Sequence, residues 1–380
     1  MIRREIANKL LEMATKYPIL TLTGPRQSGK STLLKKVFPE YEYVSLEDPD
    51  MRMFAQEDPR QFLANYPNKA FIDEVQRVPS LFSYLQTHVD NSGKEGMYLL
   101  AGSQNFLLMQ SITQSLAGRT AVMKLLPFSH AEMKREKILP TTLHEEIFKG
   151  AYPRIYKSNI HPTDFYPHYI QTYVERDVHL MQSIEDLSKF IRFVKLCAGR
   201  IGQLLNYTSL ANDCGISAST AQAWISVLEA SYIVYLLKPE FNNYSKRLVK
   251  TPKLYFYDTG LACSLLEIKE AKQVATHFLR GGLFENLVVN EFVKDAYNKG
   301  EEPLLSFWRD KTGNEVDLIY TANSIQYAYE IKAGHTYSSD YFKGLTLWAK
   351  DTAAQPVQCN VVYAGAKDLS IQKGNVFGWR

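Results

Sequence analysis

The sequence predicts an α/β phosphate-loop domain, then a helix-turn-helix with a β wing, then a second α/β unit of order αβββαβ. Three observations carry this expectation. A strand-like run ending at Thr23 leads through Gly24-Pro25-Arg26-Gln27-Ser28-Gly29-Lys30-Ser31-Thr32 into a helical pattern at Leu33, Leu34 and Val37. Residues 187–253 are basic and divide into two short helical stretches around Gly215. Beyond residue 280 a strongly periodic helix precedes three strands separated by Thr312-Gly313-Asn314 and Asn323-Ser324 turns.

In chain order, Arg3, Arg4 and Glu5 lead into an amphipathic helix with Ile6, Leu10 and Leu11 on its apolar face, rather than into a secretory leader. In the loop that follows, Gly24 and Gly29 can take backbone angles closed to other residues. Successive N–H groups of residues 24–32 can then turn inward on an anion at a helix N-terminus. Lys30 adds a point charge for phosphate and Ser31 a hydroxyl for magnesium, so ATP and Mg²⁺ are the expected ligands. A GTPase is disfavoured, because the chain holds no Asn-Lys-x-Asp stretch to read guanine. Tyr41 to Leu46 reads as a second strand, with Glu47-Asp48-Pro49-Asp50 capping a short helix. Lys69 to Glu74 is an apolar strand ending in two acids: Asp73 to hold magnesium through water, Glu74 to polarise the attacking water.

Met97 to Gly102 is a further buried strand, and Ser103-Gln104-Asn105 lies at its carboxyl end, where open α/β sheets place ligand-contacting groups. One of Ser103, Gln104 and Asn105 reads as a γ-phosphate sensor, with the choice among them open, and a helix N-cap by Ser103 or Asn105 is an equal reading. Arg119 reads as an arginine that reaches a neighbouring subunit's nucleotide, which would require a homo-oligomer, or as a surface ion-pair residue. The uncharged run from Met97 to Gly118 carries too many Ser, Gln, Asn and Thr for a membrane span. Four scattered cysteines form no metal or disulfide framework, and a reducing cytoplasm is the expected setting.

Several stretches together resemble one family. These are the phosphate loop, Phe71-Ile72-Asp73-Glu74, Leu100-Ala101-Gly102-Ser103-Gln104, Ser115-Leu116-Ala117-Gly118-Arg119 and Leu126-Pro127-Phe128-Ser129. Gly150-Ala151-Tyr152-Pro153-Arg154, Tyr173 to Val178 and Phe256-Tyr257-Asp258-Thr259-Gly260-Leu261 extend the resemblance over nearly the whole chain. The family is that of AAA-type ATPases of bacteria and archaea whose C-terminal region is catalogued as a domain of unknown function. The resemblance implies ATP hydrolysis in residues 1–126 and leaves the biological role open.

Residues 127–186, rich in Pro, Tyr and His, read as short helices forming a connector or lid. Their histidines lack metal-ligand spacing, and Arg176-Asp177 reads as an ion pair or a nucleotide sensor. Residues 187–262 read as a winged helix-turn-helix. Nine Lys or Arg against three acids in 187–253 give an excess of six within a net charge of +4. A second helix from Ser219 to Ala230, with Ala223, Val227 and Leu228 inward, would offer Ser219, Thr220 and Gln222 to a DNA major groove. Lys246, Arg247 and Lys250 would meet phosphates. A winged helix used only for protein contact fits the same pattern.

Residues 263–380 carry Glu285 on the periodic helix, Asp317 on the second strand, and Glu330-Ile331-Lys332 closing the third. This order and grouping look like the PD-(D/E)xK, restriction-endonuclease-like fold. Asp317 and Glu330 would share a divalent ion, Glu285 would supplement it, and Lys332 would orient or deprotonate water. The expected function is ATP-driven action on DNA or a DNA-bound partner. The rival is a regulatory or defence-type switch that works through protein contacts, with the nuclease-like fold inert.

Overall fold

The computed structural model describes residues 2–102, 108, 112, 114–174, 186–240, 251–352 and 356–379. Its first sheet contains β1 (Ile19–Thr23), β2 (Glu42–Ser45), β3 (Ala70–Asp73), β4 (Tyr98–Ala101) and β5 (Thr120–Lys124). The order is β2-β3-β4-β1-β5 and every pairing is parallel. β1, β3 and β4 are buried along their whole length, as strands covered by helices on both faces must be. Alternate residues feed opposite cores: Ile72 and Leu100 pack with Leu81 and Phe82, while Leu22, Phe71 and Leu99 pack with Leu10, Leu33 and Leu34. The first helix, Ala7–Ala14, buries Leu10 and Ala14 but leaves Leu11 about half exposed, so its apolar face is turned away from the expected Leu11. β5 is absent from the sequence expectation. Its alternation of buried and half-buried residues marks an edge strand with one solvated side.

Short helices follow at His130–Arg135, Leu143–Lys149, Pro153–Ser158 and Pro162–Tyr169; capping boxes at Ser129/Glu132 and Thr142/Glu145 start the first two. Three further helices, Leu187–Ala198, Tyr207–Cys214 and Ala218–Ala230, each begin at a side-chain cap, Asp186, Asn206 and Ser217. In the last of these, Ala221, Trp224, Ile225 and Leu228 are the buried residues. Ala223 is exposed and Val227 only half-buried, which corrects the expected inward face. Trp224 sets the rotation, because its indole stands edge-on to Phe190 and Phe193, each 5.2 Å away.

β6 (Val234–Pro239) and β7 (Lys253–Phe256) form the expected antiparallel pair. The expected turn at Asn242-Asn243 lies outside the described residues. β6 also pairs in parallel with β8 (Leu305–Arg309), so the hairpin ends a larger sheet. β9 (Glu315–Ala322), β10 (Ile325–Lys332), β11 (Val357–Tyr363), β12 (Leu369–Ile371) and β13 (Gly374–Gly378) complete it, in the order β12-β13-β11-β10-β9-β8-β6-β7. The long helix Arg280–Lys299 precedes β8, and Lys343–Asp351 lies between β10 and β11, which reproduces the αβββαβ order. One continuous apolar core runs from Leu126 to Ala364. Among the described residues no helix is long and apolar enough to cross a membrane.

Asp258 joins these parts. Its carboxylate accepts from the Tyr166 hydroxyl (2.6 Å) and the N–H groups of Ala151 (2.7 Å) and Leu261 (2.9 Å), the last capping the helix Thr259–Leu265. A Cβ at Gly260 would fall 2.3 Å from the Tyr166 hydroxyl oxygen, so the Tyr-Asp-Thr-Gly run fixes a close crossing of connector and core.

Candidate functional site

The phosphate loop leaves the carboxyl end of β1 and ends in the helix Lys30–Val37, capped by Gly29 in the left-handed region at φ 95°. Gly24, at φ 144°, passes so close to β5 that an added Cβ would lie 2.2 Å from the Leu125 carbonyl oxygen. The Lys30 ammonium folds back over the loop and donates to the carbonyls of Gly24 and Pro25, both at 2.9 Å. Ser28 is wholly buried, and its hydroxyl has no hydrogen-bond partner among the described residues. Ser31 is half-buried and Thr32 exposed at the start of the helix.

Arg4, which the sequence reading missed, braces the loop from outside. Its Nη1 donates to the Ser28 carbonyl (2.9 Å), its Nη2 to Leu126 (2.6 Å), and its Nε lies 3.0 Å from both oxygens of buried Glu132. A cavity of about 310 Å³ opens beside Gln27, walled by Arg154, Asp164, Phe165, His168 and Tyr169 of the connector.

Leu22 on β1 pairs with Ala101 on β4, and Ala101 pairs with Asp73 on β3. Asp73 therefore stands in the row from which the loop departs, two strand spacings away, or about 10 Å. It is 6% exposed and accepts from the Tyr43 hydroxyl at 3.2 Å. Glu74 sits at φ 54°, a backbone state uncommon for a residue with a Cβ, and accepts from Gln76 Nε2 at 2.6 Å. Ser103 lies outside the described residues, as do Arg176 and Asp177. Arg119 is placed beside Ile19, at the amino end of the parallel strands and away from the loop. It grips exposed Asp90 with two bonds, 2.6 and 2.8 Å.

On the helix Ala218–Ala230, Ser219 and Gln222 are exposed and Thr220 half-buried. Lys246, Arg247 and Lys250 lie outside the described residues. Part of the basic excess is internally spent: Lys189 pairs with Asp186, Lys195 with Glu267 and Arg200 with Asp213. Lys253 is 1% exposed and cannot face phosphate.

The C-terminal residues do converge. Glu285 projects from the second turn of the long helix towards Asp317 on β9, whose carboxylate accepts from the N–H of Ile331 on β10 at 2.8 Å. Lys332 contacts Glu330 and lies 4.0 Å from Asp317. One oxygen of Glu330 is buried without a hydrogen-bond partner among the described residues. Three members were not anticipated. Lys253 from β7 contacts Glu285 (2.8 Å), Asp317 (3.3 Å) and Glu315. Glu315 is held from outside by Arg309 at 2.8 Å, and the Tyr255 hydroxyl donates to Glu285 at 2.5 Å. The only sequence signal for them is period-two spacing, Lys253/Tyr255 and Glu315/Asp317 each sharing a strand face.

Burial, reinforced by the charge of Asp317, pushes Glu285 up to about 7 and Glu330 up to about 8. Burial opposes the charge on Lys253, but the fields of Tyr255, Glu285, Asp317 and Glu315 outweigh it and hold its pKa well above the ordinary value. Chemically the two sites are a glycine-framed loop holding Lys30, with two strand-end acids, and a partly buried group of four carboxylates and two ammoniums.

The family described as an AAA domain matches residues 16–134; two domains of unknown function, DUF8612 and DUF4143, match residues 140–272 and 280–380. Uncharacterized proteins of Mycobacterium bovis and Mycobacterium tuberculosis are each 29% identical over 341 residues, covering 88% of this chain and 75% of theirs. Among solved structures, the Walker-type ATPase of Pyrococcus abyssi aligns with a TM-score of 0.41 at 17% identity, over 70% of this chain and 96% of that one. AMPPCP-bound DnaA of Aquifex aeolicus aligns with a TM-score of 0.31 at 13% identity, over 59% and 86%. Likenesses of that size carry no functional argument. Residues 16–134 of this chain are thus similar to an AAA domain, and residues 280–380 to the domain of unknown function DUF4143.

Proposed function

We propose that the protein is a magnesium-dependent ATPase that acts on DNA or a DNA-bound partner through a winged helix-turn-helix, beside a restriction-endonuclease-like C-terminal part. The observation that supports the ATPase half is the row Leu22–Ala101–Asp73, since Asp73 shares the row from which the loop holding Lys30 departs. Ser31 and Asp73 are hard oxygen donors that suit magnesium, which when bound neutralises phosphate charge. Lys30 exchanges the carbonyls of Gly24 and Pro25 for phosphate oxygens, and Glu74 accepts the proton of the attacking water. Arg154 and His168, across the 310 Å³ cavity from Gln27, support the reading of the connector as a lid.

Lys30→Ala is expected to lower ATP affinity and turnover together, whereas Glu74→Gln is expected to retain ATP while losing turnover by 10²-fold or so. Full hydrolysis by either purified variant would refute the assignment. DNA binding, with Lys246, Arg247 and Lys250 meeting phosphates, is expected to weaken steeply with added salt; a salt-independent signal would speak against phosphate contacts.

A second reading, an ATP-driven switch in which the nuclease-like fold is inert, is favoured by the contacts around the N-terminal residues. Glu5 accepts from Asn298 of the long helix and from Ser129, both at 3.0 Å, and Glu291 accepts from the His130 N–H at 2.7 Å. The phosphate-loop brace, Arg4 with Glu132, is thereby joined to the helix that carries Glu285. On this reading ATP alters hydrogen exchange along Arg280–Lys299; unchanged protection there would remove it.

A further inference from the structure

An ammonium carries three N–H donors, and around Lys253 three carboxylates take them: Glu285 at 2.8 Å, Asp317 at 3.3 Å, and Glu315. Those three carboxylates each offer an oxygen within 4.8 Å of the others, a grouping able to hold a metal ion. The place is filled from inside the protein. Lys253 does not reach it on a loose loop, since it is paired with Leu237 of β6, bridged to Leu204 and stands 5.5 Å from the Phe307 ring. Tyr255, two residues on and on the same strand face, donates to the same Glu285 oxygen as Lys253.

From these contacts we infer that the Lys253 ammonium is the resident cation of the C-terminal carboxylate cluster, and that it closes the nuclease-like centre to divalent metal. The inference rests on reading Glu285, Asp317, Glu330 and Lys332 as a nuclease-like group. Magnesium requires oxygens at about 2.0–2.1 Å in a near-octahedral shell. The ammonium holds two of these carboxylates at 2.8 and 3.3 Å, so a metal would have to draw them inward while sharing a buried space with a fixed positive charge. With Lys253 in place, the cluster links β7, β9 and the long helix as an ionic knot, and Lys332 keeps Glu330 on its other side.

The test is Mn²⁺ titration of the full-length, nucleotide-free protein, followed by the paramagnetic resonance of the free ion, with Asp317→Asn as the control for binding elsewhere. The wild type is expected to show no Mn²⁺ site that disappears in Asp317→Asn. Lys253→Met keeps most of the stem and removes the charge; it is expected to gain one Mn²⁺ per chain, lost again in Lys253→Met/Asp317→Asn. A wild-type site sensitive to Asp317→Asn would overturn the inference while leaving the nuclease-like reading standing. A folded Lys253→Met protein that gains no Mn²⁺ would overturn both. If Lys253→Met fails to fold, wild type against Asp317→Asn decides alone: a shared Mn²⁺ profile supports the closed centre and a difference refutes it.

Discussion

Arg4 is a single side chain on which two functional elements lean, the phosphate loop through Ser28 and the connector through Glu132. Arg4→Ala leaves Glu132 buried without its counter-charge, and breaking such a pair costs about 3–5 kcal/mol. Urea unfolding measures this directly; a loss below about 1 kcal/mol would mean that backbone donors suffice for Glu132. Asp258→Asn replaces an all-acceptor carboxylate with a group that must turn an NH₂ towards Tyr166, Ala151 or Leu261. A destabilisation of about 1–3 kcal/mol is expected by the same assay. At this scale, legibility in the sequence tracked distance along the chain. Gly24 to Thr32 reads as a cradle because its glycines, Lys30 and Ser31 are adjacent in the chain, whereas Arg4 and Leu125, which also shape it, are not. Lys253 lies 32 residues from Glu285 and 64 from Asp317, and was legible only as one more positive charge.

Among the elements, the helix Ala218–Ala230 shows how one aromatic residue decides an orientation that weak periodicity leaves open. Trp224→Ala is expected to cost about 3–5 kcal/mol, seen in thermal or urea unfolding, because the buried indole packs edge-on against both Phe190 and Phe193. The helix Leu143–Lys149 carries a pH dependence. Burial first, then the charges of His335 and Arg280, push the His144 pKa below its ordinary value. As the pH falls through about 6.5 the unfolded chain takes up the proton before the folded one. Stability present above that window is therefore lost on acidification. Thermal midpoints of wild type and His144→Gln between about pH 5 and 8 should diverge only on the acid side; parallel curves would assign the effect to other groups. The αβββαβ elements were legible because each strand is bounded by turn residues. β5 was not, since an edge strand of five residues after a glycine turn has no long apolar run to announce it.

For the whole molecule, the boundary expected between residues 262 and 263 cuts through structure. β6 pairs with β8 across it, and buried Glu240 accepts from Gln326 (3.0 Å) and the Trp348 indole (2.9 Å). Residues 263–380 expressed alone are therefore expected to lack a cooperative unfolding transition, whereas 127–380 should show one; a sharp transition in the shorter fragment would restore the boundary. Composition cannot reveal such a seam, because sharing a sheet leaves no local mark on either sequence. The long helix Arg280–Lys299 has a mechanical consequence. Twenty residues make a rod of about 30 Å, with Asn298 tied near the phosphate-loop brace and Glu285 near the opposite end. Asn298 and Glu285 stand about 20 Å apart along it, so a tilt of about 3° about Asn298 displaces Glu285 by about 1 Å, enough to open its 2.8 Å contact with Lys253 beyond hydrogen-bonding range. A conformational change too small to notice at the nucleotide would then be a broken bond at the carboxylates.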